Sequence, residues 1–257
     1  MGCFKVRICL AFAIVLVSST AVFAEDFHFE FTAGYWPLKP LGAIQTSTTR
    51  VFLGPDMGIE GWKSHPAFKL VLKPLSKHRI NLEIIPYRMK GRKTLERPFQ
   101  LGGRTFVVQE QVFSKVSTDI FAGEYQYDVV NNNNGHVGIS AGIAYLGGTA
   151  RVNVVGRQAT VATEEGKAPI PLVGSEFRIF PMRETELLNV NGAVKGAPLG
   201  SYGHYIQVNL NLGVAIAKSL RFQIGFSRVD FDAHVKDRTK GFDMRFSGPV
   251  FSLQLHD

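Results

Sequence analysis

The stretch 202–217 is a 16-residue run of period two, and few folds can accept it. Tyr202, His204, Ile206, Val208, Leu210, Leu212, Val214 and Ile216 share one parity, with Gly203, Tyr205, Gln207, Asn209, Asn211 and Gly213 on the other. Period two places the two sets on opposite faces of an extended strand. Strands of globular sheets typically end after about five or six residues. A tilted strand that crosses a bilayer uses about 9–11 and can run on into solvent. The run therefore predicts a membrane-crossing strand.

The same alternation recurs through the chain. Phe29, Phe31 and Tyr35 alternate with Glu30, Thr32 and Trp36, and Ile80, Leu82 and Ile84 with Asn81 and Glu83. Further runs are Phe121 to Val129, Val137 to Tyr145, Val173 to Ile179 and Leu220 to Phe226. The second face is Gly, Ser, Asn, Gln and isolated charge. A sandwich or a lipocalin-like barrel turns its apolar residues inward and shows water a charged outside. A transmembrane barrel inverts this, with an apolar belt toward lipid and small or polar residues in the lumen. Tyr35, Tyr127, Tyr145 and Phe226 fall near strand ends, where interfacial aromatics belong. The inverted pattern favours an all-β, antiparallel, up-and-down transmembrane barrel. It has ten strands if 185–194 is a strand and eight otherwise.

Connections alternate in length. Short turns at 73–78, 131–136, 180–184 and 217–219 alternate with long segments at 37–64, 90–111, 151–167 and 234–240. In the tract Asn131 to Gly135, Asn and Gly tolerate positive φ and so suit a turn. Phe242, Met244 and Phe246 share one parity, whereas Phe251, Leu253 and Leu255 share the other, so a β-bulge is expected at Gly248-Pro249.

Residues 1–24 read as a secretory signal peptide: Lys5 and Arg7 precede the apolar run 8–17, then small residues and Val22-Phe23-Ala24. The expected barrel domain is 25–257. Cys3 and Cys9, the only cysteines, both fall in the removed segment, which excludes a disulfide framework and a thiolate metal site. Removing Lys5 and Arg7 lowers the formal net charge from +8 to +6. The remaining basic residues are scattered rather than clustered with aromatics, so nucleic acid is not an expected partner. With 45% hydrophobic and 19% charged residues, the composition excludes a disordered chain.

From Phe27 to the C-terminus the chain resembles small single-chain bacterial outer-membrane β-barrel proteins. The most specific piece is Gly248-Pro249-Val250-Phe251-Ser252-Leu253, similar to the C-terminal signal read by the barrel-assembly machinery. The chain departs from that pattern by ending Leu255-His256-Asp257 where the family ends in Phe. The resemblance implies outer-membrane placement and insertion assisted by that machinery.

Chemistry is sparse. His28, Glu30, Lys69, Lys73, Glu83, Glu124, Glu176, Arg178 and Arg221 map to the lumen, where opposite charges must pair because unpaired buried charge is costly. Folding the 68–84 hairpin about residue 76 sets Lys69 opposite Glu83, a candidate lumen ion pair. The apolar face Leu220, Phe222, Ile224 and Phe226 continues as Arg228, Asp230, Asp232 and His234, which marks where lipid ends. Arg228 is thus a candidate contact for lipopolysaccharide phosphate, with pairing to Asp230 as the plainer role. Asp230, Asp232 and His234 share a face, but next-but-one side chains stand about 6.6 Å apart, too far for joint metal coordination. G-x-S-x-G, H-E-x-x-H and Gly-rich phosphate loops are absent. No catalytic, cofactor-binding or metal-ligating residue is assigned. The expected role is structural or that of a narrow passive pore, with the bilayer and lipopolysaccharide as partners. The alternatives are a surface enzyme acting on lipid A or peptide, and a binding barrel using the 37–64 segment with Trp62.

Overall fold

The computed structural model describes residues 28–156, 161–182, 186–234 and 240–257. The expected targeting segment 1–24 lies outside the described residues. The strands are β1 (Phe29–Gln45), β2 (Arg50–Phe52), β3 (Lys63–Leu75), β4 (His78–Thr94), β5 (Phe99–Leu101), β6 (Arg104–Phe106) and β7 (Gln111–Asn132). They continue as β8 (Gly135–Val154), β9 (Val161–Ile179), β10 (Leu188–Pro198), β11 (Gly203–Ala217), β12 (Leu220–His234) and β13 (Gly241–His256).

Ten long strands form the wall, each antiparallel to the next, and β13 pairs back onto β1 to close it. The segment with the weakest alternation is strand β10, which settles the count at ten rather than eight. Closure matters because a bilayer offers nothing to an open strand edge. At the end that carries the chain termini, the backbone N–H groups of Phe29 and His28 donate to the Asp257 carboxylate at 3.1 and 2.8 Å, joining the two edge strands. Those two donors hold the Asp257 carboxyl below its usual range.

Two-residue turns link β3 to β4, β7 to β8 and β11 to β12 at this end. The turn after β7 shows why Asn and Gly stand there. Asn132 Oδ1 accepts the Asn134 N–H at 2.9 Å, and Gly135 has φ +126° where a Cβ would lie 1.8 Å from the Arg178 carbonyl oxygen.

The wall is taller than its lipid belt. Around the lower half Phe31, Tyr35, Leu82, Ile84, Phe121, Tyr125, Ile143, Tyr145, Leu210, Phe226 and Leu253 point outward and are exposed. In the upper half the parity of apolar residues reverses. Ile80, Leu82 and Ile84 face out on β4, then Ile85, Tyr87 and Met89 face in. Tyr145 faces out on β8, then Leu146, Ala150 and Val152 face in. Ile84, Phe121 and Tyr145, the last outward members of three adjacent strands, are direct lateral neighbours, so the switch occurs at one height. Below it the barrel is apolar outside and polar inside. Above it the barrel is an ordinary β-protein with an apolar interior.

That switch corrects two expectations. The change of parity at Gly248-Pro249 is not a bulge. Ladder β12–β13 keeps one register from Leu220↔Leu255 to His234↔Gly241, and β1–β13 has the same register on both sides of its gap between Tyr35↔Phe251 and Lys39↔Ser247. Met244 and Phe246 face the upper core while Leu253 and Leu255 face lipid, so the apolar face changes and the ladder does not slip. The long connections are also shorter than expected. Pro37 to Gln45, Lys90 to Thr94, Arg151 to Val154 and Val161 to Lys167 are strand, extending the wall around the upper core.

The true loops 46–62 and 95–110 turn inward. Leu53, Met57 and Ile59 from the first, and Leu95, Phe99, Leu101 and Phe106 from the second, are fully or almost fully buried. Phe99 and Phe106 stack at 5.0 Å, and Arg97 Nε bonds Asp56 Oδ1 at 2.7 Å to tie the loops together. Trp62 stays exposed, with Lys39 Nζ 5.0 Å from its ring centre.

The facing assignment is directly testable. Leu210 is 54% exposed on the outer wall of β11, whereas Asn209 faces the lumen and accepts a hydrogen bond from Ser227 Oγ. Leu212, the next outward position toward the middle of the belt and paired with Ile224, gives the larger effect: Leu212→Arg is expected to cost about 2–4 kcal/mol. Asn209→Ala is expected to cost only about 1 kcal/mol, the worth of one hydrogen bond. Urea titration of the refolded protein in lipid vesicles reads both values, and equal costs would overturn the assignment.

Candidate functional site in a divided lumen

The lower lumen is a chain of paired charges. Near the turn end, Arg79 Nε bonds Asp128 Oδ2 at 2.7 Å, and Gln126 links Asp128 (2.8 Å) to Asn81 (3.0 Å). Arg178 grips Glu30 with two bonds of 2.7 and 3.0 Å. Lys69 Nζ bonds Glu176 Oε2 at 2.7 Å. Lys195 Nζ bonds Glu124 and reaches Glu83 at 3.3 Å. Glu83 also accepts from Gln207 Nε2 at 3.0 Å, and Ser140 Oγ donates to Glu124 at 2.8 Å. These side chains come from β1, β3, β4, β7, β8, β9, β10 and β11, so the network crosses the lumen in all directions.

The expected Lys69–Glu83 pair is half right. The two residues are direct cross-strand partners in the β3–β4 ladder. Their charges bond elsewhere, Lys69 to Glu176 across the barrel and Glu83 to Lys195 and Gln207. Hairpin geometry sets which residues are adjacent, but a long lumen side chain can also reach a carboxylate on a distant strand. Glu30, Lys73, Glu124, Glu176, Arg178 and Arg221 are buried inside the wall as expected, whereas His28 is exposed at the rim beside Asp257. Lys195 had no sequence signal, because it sits in the weakly alternating strand β10. The Arg79–Asp128 pair could have been found, since both residues continue the lumen parity of their strands.

Above this network the interior closes with aromatic and aliphatic side chains. Trp36 packs edge-on to Tyr87 at 5.9 Å, and Tyr87 stacks on Phe246 at 4.5 Å. Tyr87 lies on β4 and Phe246 on β13, so the stack crosses the sector of lumen in front of β1 and β3. Ile85, Ile120, Leu146, Leu172, Tyr205 and Val229 complete the layer, each at most 5% exposed. A polar cavity of about 120 Å³ remains below, lined in part by Glu30, Lys69 and Glu176. An apolar chamber of about 290 Å³ opens above, between β7, β8, β9, β12 and β13.

Outside the wall, Arg228 Nη2 lies 3.0 Å from Asp230 Oδ2, and Arg245 Nε approaches the same oxygen at 2.8 Å. Asp232 Oδ1 lies 3.3 Å from His234 Nδ1. Asp230 bonds the two arginines and Asp232 bonds His234, so the three candidate ligands do not converge. Among the described residues no group of three His, Cys, Asp or Glu side chains could hold a metal ion.

No protein-family model and no curated protein sequence matches the chain. Solved structures do. The fold is similar to the outer membrane protease OmpT from Escherichia coli, with a TM-score of 0.53 and 8% identity over 93% of this chain and 99% of that one. The translocator domain of the autotransporter NalP from Neisseria meningitidis aligns with a TM-score of 0.45 and 9% identity over 90% of this chain and 88% of that one. The fold is that of bacterial outer-membrane β-barrels.

The lumen network has an energetic signature. Lys195 is almost wholly buried between Glu83 and Glu124, so Lys195→Met leaves two carboxylates facing each other. The expected cost is about 3–5 kcal/mol. Adding Glu124→Gln to that variant removes one of the stranded charges and should recover part of the loss. Denaturant titration of the single and double variants checks this, and additive losses would mean the groups are not coupled.

Proposed function

We propose that this chain is a sealed barrel of the outer membrane, with a structural rather than a conducting role. The observation that carries the reading is the buried apolar layer of Trp36, Tyr87, Ile120, Leu172, Tyr205, Val229 and Phe246, which lies across the lumen above the linked charge pairs. A conducting barrel needs a continuous wet path lined by groups that bind an ion weakly enough to release it. Here the polar half offers charges that already neutralise one another, and the next layer is dry and close-packed. The loops 46–62 and 95–110 add buried apolar side chains on top of that layer.

The belt height supports a lipid contact. Phe226 is the last apolar outward residue of β12, and Arg228 follows on the same face with about half of its side chain exposed. Arg228 and Arg245 share one carboxylate, Asp230, so in that row two guanidinium groups face a single acid. Lipopolysaccharide phosphate is the matching anion.

Two measurements test this. The refolded protein in a planar bilayer should give no stepwise conductance, and stable open steps would remove the sealed reading. Arg228→Ala should weaken lipopolysaccharide binding several-fold in a pull-down while heat-modifiable gel mobility stays normal; unchanged binding in a folded variant would leave Arg228 with its Asp230 pairing alone.

A further inference from the structure

On the outer wall above the lipid belt, strand pairing lines up three cations that lie far apart in the chain. Lys90 on β4 is the direct cross-strand partner of Lys115 on β7, and Lys115 is the partner of Arg151 on β8. All three residues are exposed at outward positions. Cross-strand partners on one face have Cβ atoms about 4.5–5.5 Å apart, and like charges placed so repel. Among the described residues none of the three bonds a carboxylate; Asp119 is taken by Arg88 and Glu96 by Lys93. The row is the centre of a wider field. At the outward positions above the belt on β4, β7, β8 and β9, Arg88, Lys90, Arg92, Lys115, Arg151 and Lys167 stand against only Asp119 and Glu165. The flank across the barrel differs. There Arg228 and Arg245 share Asp230, and Arg50 bonds Asp243.

The height of the row decides what it meets. Lys90, Lys115 and Arg151 stand six residues above Ile84, Phe121 and Tyr145, the top outward members of the belt on their strands. Six residues rise about 20 Å along a strand, and a tilt of about 35–45° leaves about 15 Å of height. The polar headgroup layer on one side of a bilayer is only about 5–7 Å thick. The row therefore clears the level of lipid phosphates, where Arg228 stands two residues above Phe226. In lipopolysaccharide an anionic sugar chain, bearing phosphate and carboxylate groups, continues outward from that level. A side chain facing sideways from the wall at this height meets those sugars before it meets open solution. Ser117 and Thr149, partners in the row just beneath Lys115 and Arg151, add hydroxyl groups that can exchange hydrogen bonds with a sugar.

We propose that the row Lys90–Lys115–Arg151 binds the phosphorylated core sugars of lipopolysaccharide and holds the sugar layer against the flank of the barrel opposite Arg228. This rests on the outer-membrane reading but uses a different surface and a different part of the ligand. Arg228 meets phosphate at the lipid level, and the row meets the charge one layer higher. Ammonium and guanidinium groups both give charge-assisted bonds to phosphate, and an anion laid along the row relieves the repulsion across the two ladders.

The test uses the full barrel in lipid nanodiscs and three probes: lipopolysaccharide with a phosphorylated core, lipid A without core sugars, and heparin as a free sulfated polysaccharide. Wild type should bind the core-bearing form about tenfold more tightly than lipid A, the worth of three exposed charge contacts. Lys90→Gln/Lys115→Gln/Arg151→Gln should remove that advantage, leave lipid A binding unchanged and keep heat-modifiable gel mobility. Arg228→Ala should weaken both lipid probes alike. Lys77→Gln/Lys218→Gln, which removes positive charge at the opposite, turn end of the barrel, should change neither. A wild type without preference for the core-bearing form, a preference that survives the triple variant, or an equal loss in the turn-end control would overturn the proposal. So would row-dependent binding of heparin tighter than that of the core-bearing form, which would assign the row to a free polymer. Loss of lipid A binding by wild type together with an inert Arg228→Ala would remove the lipopolysaccharide reading as a whole, whereas loss of the core preference alone removes only this row.

Discussion

The constraint on which everything else rests is the closing ladder between β1 and β13. A sheet in hydrocarbon has no water to satisfy an open edge, so the first and last strands must meet, and they do so in one register along their length. Closure fixes the strand number. With ten tilted strands the interior is wide enough to need filling by long side chains, and the fill divides the molecule.

The division has a simple physical origin. Where lipid surrounds the wall, apolar side chains gain most by facing out, and the interior is left to polar groups that must satisfy one another. Above the lipid, water surrounds the wall and the preference inverts. Strands that reach the upper core therefore change their apolar parity once, as between Ile84 and Ile85 on β4 and between Tyr145 and Leu146 on β8, and the ladder keeps its register at that point. The lower interior is stabilised by charge pairing and the upper by burial of aromatics. The Tyr87–Phe246 stack sits where the two regimes meet.

The upper half also departs from a simple plug. Two loops fill much of the mouth, whereas the side bounded by β8, β9, β12 and β13 keeps an apolar chamber. A barrel serving only as a membrane-embedded wall has no need of that asymmetry.

Much of the fold was legible in the sequence because a strand side chain has only two directions. Alternation in 202–217 and its echoes identified the lipid face, and Asn131 to Gly135 and the mature-chain arrangement of short turns identified one end. What alternation could not show was what the inside does. The parity change near Gly248-Pro249 is the same string of letters whether the ladder bulges or the surroundings change from water to lipid, and only the neighbouring strands decide between them. Lys69 and Glu83 were correctly placed opposite each other, yet their charges bond to Glu176 and Lys195 from the far wall. His234 and Phe242 likewise come to line one chamber with Gly166 and Ala168 only when ten strands close into a ring. Local periodicity determined which way each residue points. The partner it finds across the lumen is a long-range contact, set by closure and register, and so belongs to the tertiary structure alone.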